Sequence, residues 1–240
     1  MKESVLITGG AGYLGATLAE HLLSSGHSVT VLDNLLFKQQ SLNHLFKKEG
    51  FRFVYGDVRD TELLITEVNR HDVIIPLAAL VGMPACKANP TLSVDVNYKQ
   101  IVNITASTTS KQKIILPNTN SQYGSSDSII TEDSPFKPLS LYAETKCNAE
   151  MDLLKSGNGI ALRLATVFGV SPRMRLDLLV NNFVYKSLDD GFLVLFESHF
   201  KRNYIHVQDI AQTFEFMIKH YDECNNQAFN VGLSTANLSK

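Results

Sequence analysis

The chain has 240 residues, 44% hydrophobic and 19% charged, which excludes a disordered or collagen-like polymer and suits one large domain or a domain with a small appendage. Lys and Arg number 22 against 24 Asp and Glu, a net charge of -2, and no stretch is stacked with basic residues, so nucleic acid and anionic membrane are poor partners. Cys86, Cys147 and Cys224 lie far apart without metal-ligand spacing, and no apolar run reaches the roughly 20 residues of a membrane span or forms a signal peptide near Met1, so a cytoplasmic protein without structural zinc is expected.

In chain order, short apolar runs alternate with longer amphipathic segments. Strands are predicted over 4–8, 28–33, 51–55, 72–77, 113–116 and 159–164, with helices over 12–25, 60–70, 90–109 and 140–156. The strands read as buried on both faces. Successive βαβ units follow, and the expected fold is α/β, a doubly wound parallel sheet of the Rossmann type with right-handed crossovers. After residue 168 the rhythm changes, with a helix near 176–188 and short strands at 193–196 and 203–207. A dinucleotide-binding domain over 1–168 and a smaller, mixed substrate-binding region over 169–240, interleaved with it, are therefore expected. Asn237-Leu-Ser-Lys240 reads as a helix N-cap and first turn, which implies that the chain continues and that this region is incomplete.

Thr8-Gly-Gly-Ala-Gly-Tyr-Leu-Gly15 leaves the first strand and opens the first helix. Gly9 permits a tight turn, Gly12 lets the backbone approach a pyrophosphate and Gly15 allows close helix–sheet packing, while the helix N-terminus offers free N–H groups and a positive dipole. A bare strand–helix turn is the blander reading, and the placement of the glycines disfavours it. Asp33 ends the second strand about 20 residues further on, where a carboxylate accepts from ribose hydroxyls and repels a 2′-phosphate. No Lys or Arg follows until Lys38, so NAD is expected over NADP. Asp57, in Tyr55-Gly-Asp-Val-Arg59, either accepts from the adenine amino group or caps the helix over 60–70.

Tyr142-Ala-Glu-Thr-Lys146 places a phenol and an ammonium at i and i+4 on one helix face. A phenol titrating near pH 10 is a poor base at neutrality, and the ammonium together with a positive nicotinamide ring would lower that value. Such pairs are common on solvated faces. Position after the fifth strand of a nucleotide-binding sheet favours the catalytic reading. Pro117-Asn-Thr-Asn-Ser-Gln-Tyr-Gly124 follows that strand, where open α/β sheets bind ligands, and Thr119 can there donate to a substrate oxygen. Alone, this stretch reads as a turn-forming polar loop.

These motifs, with Gly56-Asp-Val58, Ala78-Ala79, Asn97, Arg163 and Arg202-Asn-Tyr-Ile-His-Val207, resemble the extended short-chain dehydrogenase/reductases that act on nucleotide sugars. The resemblance implies a Thr119–Tyr142–Lys146 triad, with Tyr142 as base and Lys146 also holding the nicotinamide ribose. It implies an NAD contour along Gly9, Gly12, Tyr13, Leu14, Gly15, Asp33, Asn34, Asp57 and Val58, continuing through Leu77, Ala78, Ala79, Asn97, Asn118 and Val167. Substrate contacts are implied at Met83, Asn120, Ser121, Thr166, Arg175, Asn181 and Arg202, with Arg202 on the nucleotide or diphosphate. It also implies pairing through the helices over 90–109 and 140–156, as a homodimer or a pair of dimers.

Three departures narrow this expectation. The family's usual His before Leu-Ala-Ala is Pro76, and its usual Ser-Ser pair is Asn118-Thr119. Its 4,6-dehydratases follow the catalytic Thr with Asp and Glu, where this chain has Asn120 and Ser121, neither able to take a carbon-bound proton. Its 3,5-epimerases place a Cys near this loop, and Cys147 is expected to point elsewhere. Asn118-Thr-Asn-Ser121, the stretch over 75–82 and the stretch over 163–181 resemble a narrower branch that includes GDP-manno-heptose 4-dehydrogenases. That branch implies oxidation of a GDP-heptose at C4; a keto sugar that takes the hydride back makes the chain a 4-epimerase instead, and, since fold does not fix function, a non-catalytic NAD-binding regulator on the same fold is the rival reading, disfavoured by the intact Tyr142/Lys146 pair.

Overall fold

In the computed structural model, which describes residues 2–125, 129–233, 235 and 237–239, the Val- and Ile-rich runs form strands β1 (Ser4–Thr8), β2 (Ser28–Asp33), β3 (Phe51–Tyr55), β4 (Val73–Pro76), β5 (Lys113–Thr119) and β6 (Ile160–Leu164). Further along lie β7 (Thr166–Phe168), β8 (Lys201–His206), β9 (Gln227–Val231) and β10 (Asn237–Ser239). The helices are α1 (Tyr13–Ser24), α2 (Thr61–Val68), α3 (Met83–Ala88), α4 (Pro90–Val94), α5 (Gln100–Ser107), α6 (Leu141–Lys155), α7 (Leu179–Asp189), α8 (Val207–Lys219) and α9 (Tyr221–Cys224).

Seven strands pair in the order β3-β2-β1-β4-β5-β6-β9, all parallel. The order reverses between β1 and β4, which opens a crevice at their carboxyl ends where α/β sheets take ligands. Alternate side chains of the central strands face opposite layers. Val5 and Ile7 join Leu18, Leu22, Val31 and Phe214 on the α1 and α8 side, whereas Leu6 joins Leu64, Ile74, Ile104 and Leu153 on the α2, α5 and α6 side. A second sheet, in the order β10-β8-β7, lies beyond β6, with β7 and β8 parallel and β8 and β10 antiparallel.

Several expectations are corrected. β3 is an edge strand, and its residues are partly or fully exposed rather than buried on both faces. Residues 193–196 form no strand and lie exposed as irregular backbone, because an apolar run becomes a strand only where a neighbour takes its N–H and C=O groups. Residues Asn237–Ser239 are extended and pair with β8 rather than starting a helix, and Lys240 lies outside the described residues. The helix expected over 90–109 is interrupted by a π-helical turn at Asp95–Lys99. The main sheet also takes its seventh strand, β9, from the region after residue 168.

Candidate active site

A cavity of about 1030 Å³ opens at the carboxyl ends of β1, β2, β4, β5 and β6. It is lined by every residue expected to serve cofactor, substrate or catalysis except Met83, Asn97 and Asn181. At one end stands the glycine loop. Gly9 has φ +67°, and a Cβ there would lie 2.5 Å from the Ala78 Cα, so this turn and the close approach to β4 both require glycine. Gly15 would strike the Gly10 backbone at 2.6 Å, so its closest packing is against the loop itself rather than the sheet. A Cβ on Gly12 would meet only the Gly9 carbonyl, leaving a backbone cradle open to the cavity.

Asp33 does more than face the cavity. Its carboxylate accepts from the Ala11 N–H at 3.0 Å and the Leu35 N–H at 2.8 Å, and burial pushes its pKa above the ordinary carboxylate value. Asp57 accepts from Asn34 Nδ2 at 2.9 Å and from Arg59 Nε and Nη2 at 2.9 and 2.8 Å, and the guanidinium holds its pKa well below the usual range. The cap of α2 is Asp60, which accepts from the Leu63 N–H at 3.1 Å. That removes the capping alternative for Asp57 and adds Arg59, unforeseen from the sequence, to the cavity wall.

α6 begins at Ser140, whose hydroxyl accepts from the Ala143 N–H, and this start puts Tyr142 in the first turn and Lys146 one turn deeper. Thr119 is the last residue of β5, not part of a loop, and its hydroxyl, which accepts from the Ser121 N–H at 3.2 Å, lies near enough to the Tyr142 phenol to favour its ionised form. Lys146 is buried and donates to the Pro117 carbonyl at 2.6 Å. Burial pushes the Tyr142 phenol up to about 12, with Cys86 adding to the rise, and pulls Lys146 down to about 8. The expected lowering of the phenol is thus reversed in the chain itself: desolvation outweighs the Thr119 hydroxyl and the Arg175 charge that oppose it. Cys86, close enough to Tyr142 to act on it, was not foreseen, because α3 is far from α6 in sequence.

Behind the pair lies a satisfied polar core. Glu150 Oε1 accepts from Arg163 Nε and Nη2 at 2.9 and 2.5 Å, and Oε2 accepts from Gln122 Nε2 at 3.1 Å and from Asn118 Nδ2. Asn118 Nδ2 also donates to the Lys146 carbonyl at 3.2 Å, while its Oδ1 accepts from the Thr119 N–H at 3.0 Å. Cys147 turns towards Gln122, and burial raises its thiol to about 11.

The three expected residues outside the lining have other surroundings. Met83 opens α3 and is exposed. Asn97, buried in the π-helical turn, accepts from the Leu80 N–H at 2.7 Å, and its Nδ2 donates to the Leu80 carbonyl at 3.0 Å and to Thr145 at 3.4 Å. Asn181 is buried, with its amide bonded to Gly169, Tyr13 and Arg175. Arg173 lines the cavity and lies over the Phe37 ring, and Arg175 pairs with Asp177 at 2.5 Å. Among the described residues no group of His, Cys, Asp and Glu can hold a metal ion, and no helix is long and apolar enough to cross a membrane.

Residues 5–232 match the model of the NAD dependent epimerase/dehydratase family, and the chain belongs to that family of enzymes, whose cofactor is NAD. It is 29% identical over 241 residues to the low-salt glycan biosynthesis protein Agl12 of Haloferax volcanii, covering 95% of this chain and 76% of the relative. The UDP-glucuronate 4-epimerase of Thermodesulfobacterium geofontis is 30% identical over 224 residues, 86% of this chain and 69% of the relative. Some further relatives are matched over only 49% of their length. Among solved structures, the UDP-N-acetylglucosamine 4-epimerase from Methanobrevibacter ruminantium M1 in complex with UDP-N-acetylmuramic acid superposes with a TM-score of 0.86 at 25% identity, covering 98% of this chain and 78% of that one.

Proposed function

We propose that the chain oxidises a nucleotide-activated sugar at C4 to the 4-keto sugar, with Thr119, Tyr142 and Lys146 as the catalytic residues and a GDP-heptose as the first candidate substrate. The observation that carries this reading is the meeting of those three side chains on the wall of a cavity whose far end is the open glycine cradle. NAD, when bound, supplies a hydride acceptor. The residues present fit it: Gly12 leaves room for a pyrophosphate, Asp33 ends β2 beside the loop, and Asp57 and Asn34 stand at the end suited to adenine.

Tyr142 takes the proton of the C4 hydroxyl, and Thr119 steadies that oxygen. The step needs the phenolate, which Thr119 and the Arg175 charge favour against desolvation, while Lys146 holds a buried ammonium at the same wall of the cavity. Arg173, Arg175 and Arg202 are the lining cations suited to a diphosphate.

Chemistry at C5 is disfavoured by the carboxylates present. Asp33, Asp57 and Asp177 are the described acidic residues lining the cavity, and they are held by backbone N–H groups, by Arg59 and by Arg175 respectively. Asn120 and Ser121 also line it and are not bases. Return of the hydride to the other face of the keto sugar makes the chain a 4-epimerase, a reading favoured by its likeness to two 4-epimerases. Incubation with NAD and a panel of GDP-, UDP-, CDP- and dTDP-sugars, followed by NMR of the sugar and absorbance of reduced nicotinamide, separates the outcomes. A 4-keto product or a C4 epimer is expected, and no turnover of any member contradicts the proposal.

A further inference from the structure

Tyr13 belongs to the glycine loop, yet its hydroxyl reaches out of it. It donates to the Gly169 carbonyl at 2.6 Å and accepts from Asn181 Nδ2 at 3.3 Å, partners 156 and 168 positions away. The Tyr13 carbonyl accepts from the Ser171 hydroxyl at 2.6 Å. Asn181 closes the figure: its Oδ1 accepts from the Gly169 N–H at 3.0 Å, and Nδ2 also donates to the Arg175 carbonyl at 3.1 Å. Tyr13, Ser171 and Asn181 are all buried, so each bond lost leaves a polar group without water to replace its partner.

The segment held in this way, residues 169–175, carries Arg173 and Arg175 into the cavity. Its start is fixed as well, for Gly169 has φ +116° and a Cβ there would lie 2.3 Å from the His206 ring. Ser171 extends the connection by accepting from the Arg173 N–H at 3.2 Å. The glycine loop and the cationic segment beside it on the cavity wall are therefore one hydrogen-bonded unit.

We propose that Tyr13, Ser171 and Asn181 are positioning residues that couple the two, so that NAD and the nucleoside diphosphate part of the substrate bind cooperatively. This rests on the NAD and nucleotide-sugar reading above. A pyrophosphate on the loop N–H groups fixes the Gly12–Tyr13 peptide, and Tyr13 then holds residues 169–175 with their guanidinium groups facing the cavity. Coupling between two binding sites is reciprocal, so the nucleotide tightens NAD by the same factor.

Calorimetric titration of the whole chain with GDP, UDP, CDP and dTDP, with and without saturating NAD, reads that factor. For the tightest of the four, the NAD-loaded protein is expected to bind about fivefold or more tightly than the free protein, the lower end of ordinary coupling. Tyr13→Phe and Ser171→Ala are each expected to bring the ratio close to one, whereas Ser171→Thr keeps the hydroxyl and retains it. Variants that lower affinity equally in both states, leaving the ratio intact, show a merely structural role and overturn the proposal. A wild-type chain that takes NAD but binds no nucleoside diphosphate, or binds it with a ratio of one, overturns the coupling and leaves the NAD reading standing. Failure to bind NAD at all overturns both.

Discussion

Asp33 and Ala11 are joined by a hydrogen bond of 3.0 Å, so the carboxylate that ends β2 is fastened to the glycine loop that follows β1. The same carboxylate faces the cavity where a ribose would lie. Asp33→Ala is expected to weaken NAD far more than NADP, since the substitution removes both an acceptor for ribose hydroxyls and a charge that repels a 2′-phosphate. The loosened loop costs both cofactors alike. Calorimetry of the two decides, and equal losses mean that Asp33 serves the loop alone.

Tyr142→Phe is expected to fold and keep NAD while losing at least about a hundredfold in turnover, the scale of a positioned proton-transfer group. The ring still fills its place against α3, so thermal stability stays near that of the parent. Turnover close to normal in this variant removes Tyr142 from the mechanism.

Lys146 makes a signed prediction for stability against pH. Its ammonium is pulled from 10.5 to about 8 by burial in the folded chain. Below that lower value both states are protonated and the burial cost is fully present. Between the two values the unfolded chain holds the proton and the folded chain releases it, so stability rises with pH through this window. Without cofactor, the melting temperature of wild type minus that of Lys146→Met is expected to climb from about pH 8 to about pH 10. A flat difference contradicts the shift.

The Glu150–Arg163 pair is almost wholly buried, at 0% and 6% side-chain exposure. Arg163→Met leaves the carboxylate with only Asn118 and Gln122, and a loss of about 3–5 kcal/mol is expected, as for a broken buried pair. Glu150→Met together with Arg163→Met is expected to cost less than the sum of the single changes, because neither charge is then stranded. Urea denaturation measures both, and additive losses rule out coupling.

The parts of the fold that local chemistry dictates were legible in the sequence. β1, β2 and β3 fall where their apolar runs stand, Ser140 caps α6, and the glycine loop sits at a strand–helix junction. What pairing over long distances dictates was not. Residues 193–196 are as apolar as a strand but lie exposed, whereas Gln227–Val231, with two polar residues, pairs with β6. In the candidate site, Tyr142 and Lys146 are visible as an i, i+4 pair. Asn181 looked like a substrate contact, and only the fold brings its amide to Gly169 and Tyr13. Cys86 comes up to Tyr142 through tertiary packing that no local spacing announces, whereas Arg59 meets Asp57 two residues away within the same turn.

Transfer of hydrogen from C4 tests the central claim most directly. A nucleotide sugar that is turned over, prepared with deuterium at C4, is incubated with the protein and NAD, and the label is followed by mass spectrometry and NMR. Deuterium is expected on the reduced nicotinamide when the keto sugar leaves, or back at C4 when it is reduced again, with none entering C5 from D2O in a parallel run with unlabelled sugar. Deuterium lost to water from C4, or enzyme-dependent deuterium at C5 with loss of the C6 hydroxyl, would contradict the reaction proposed for Thr119, Tyr142 and Lys146.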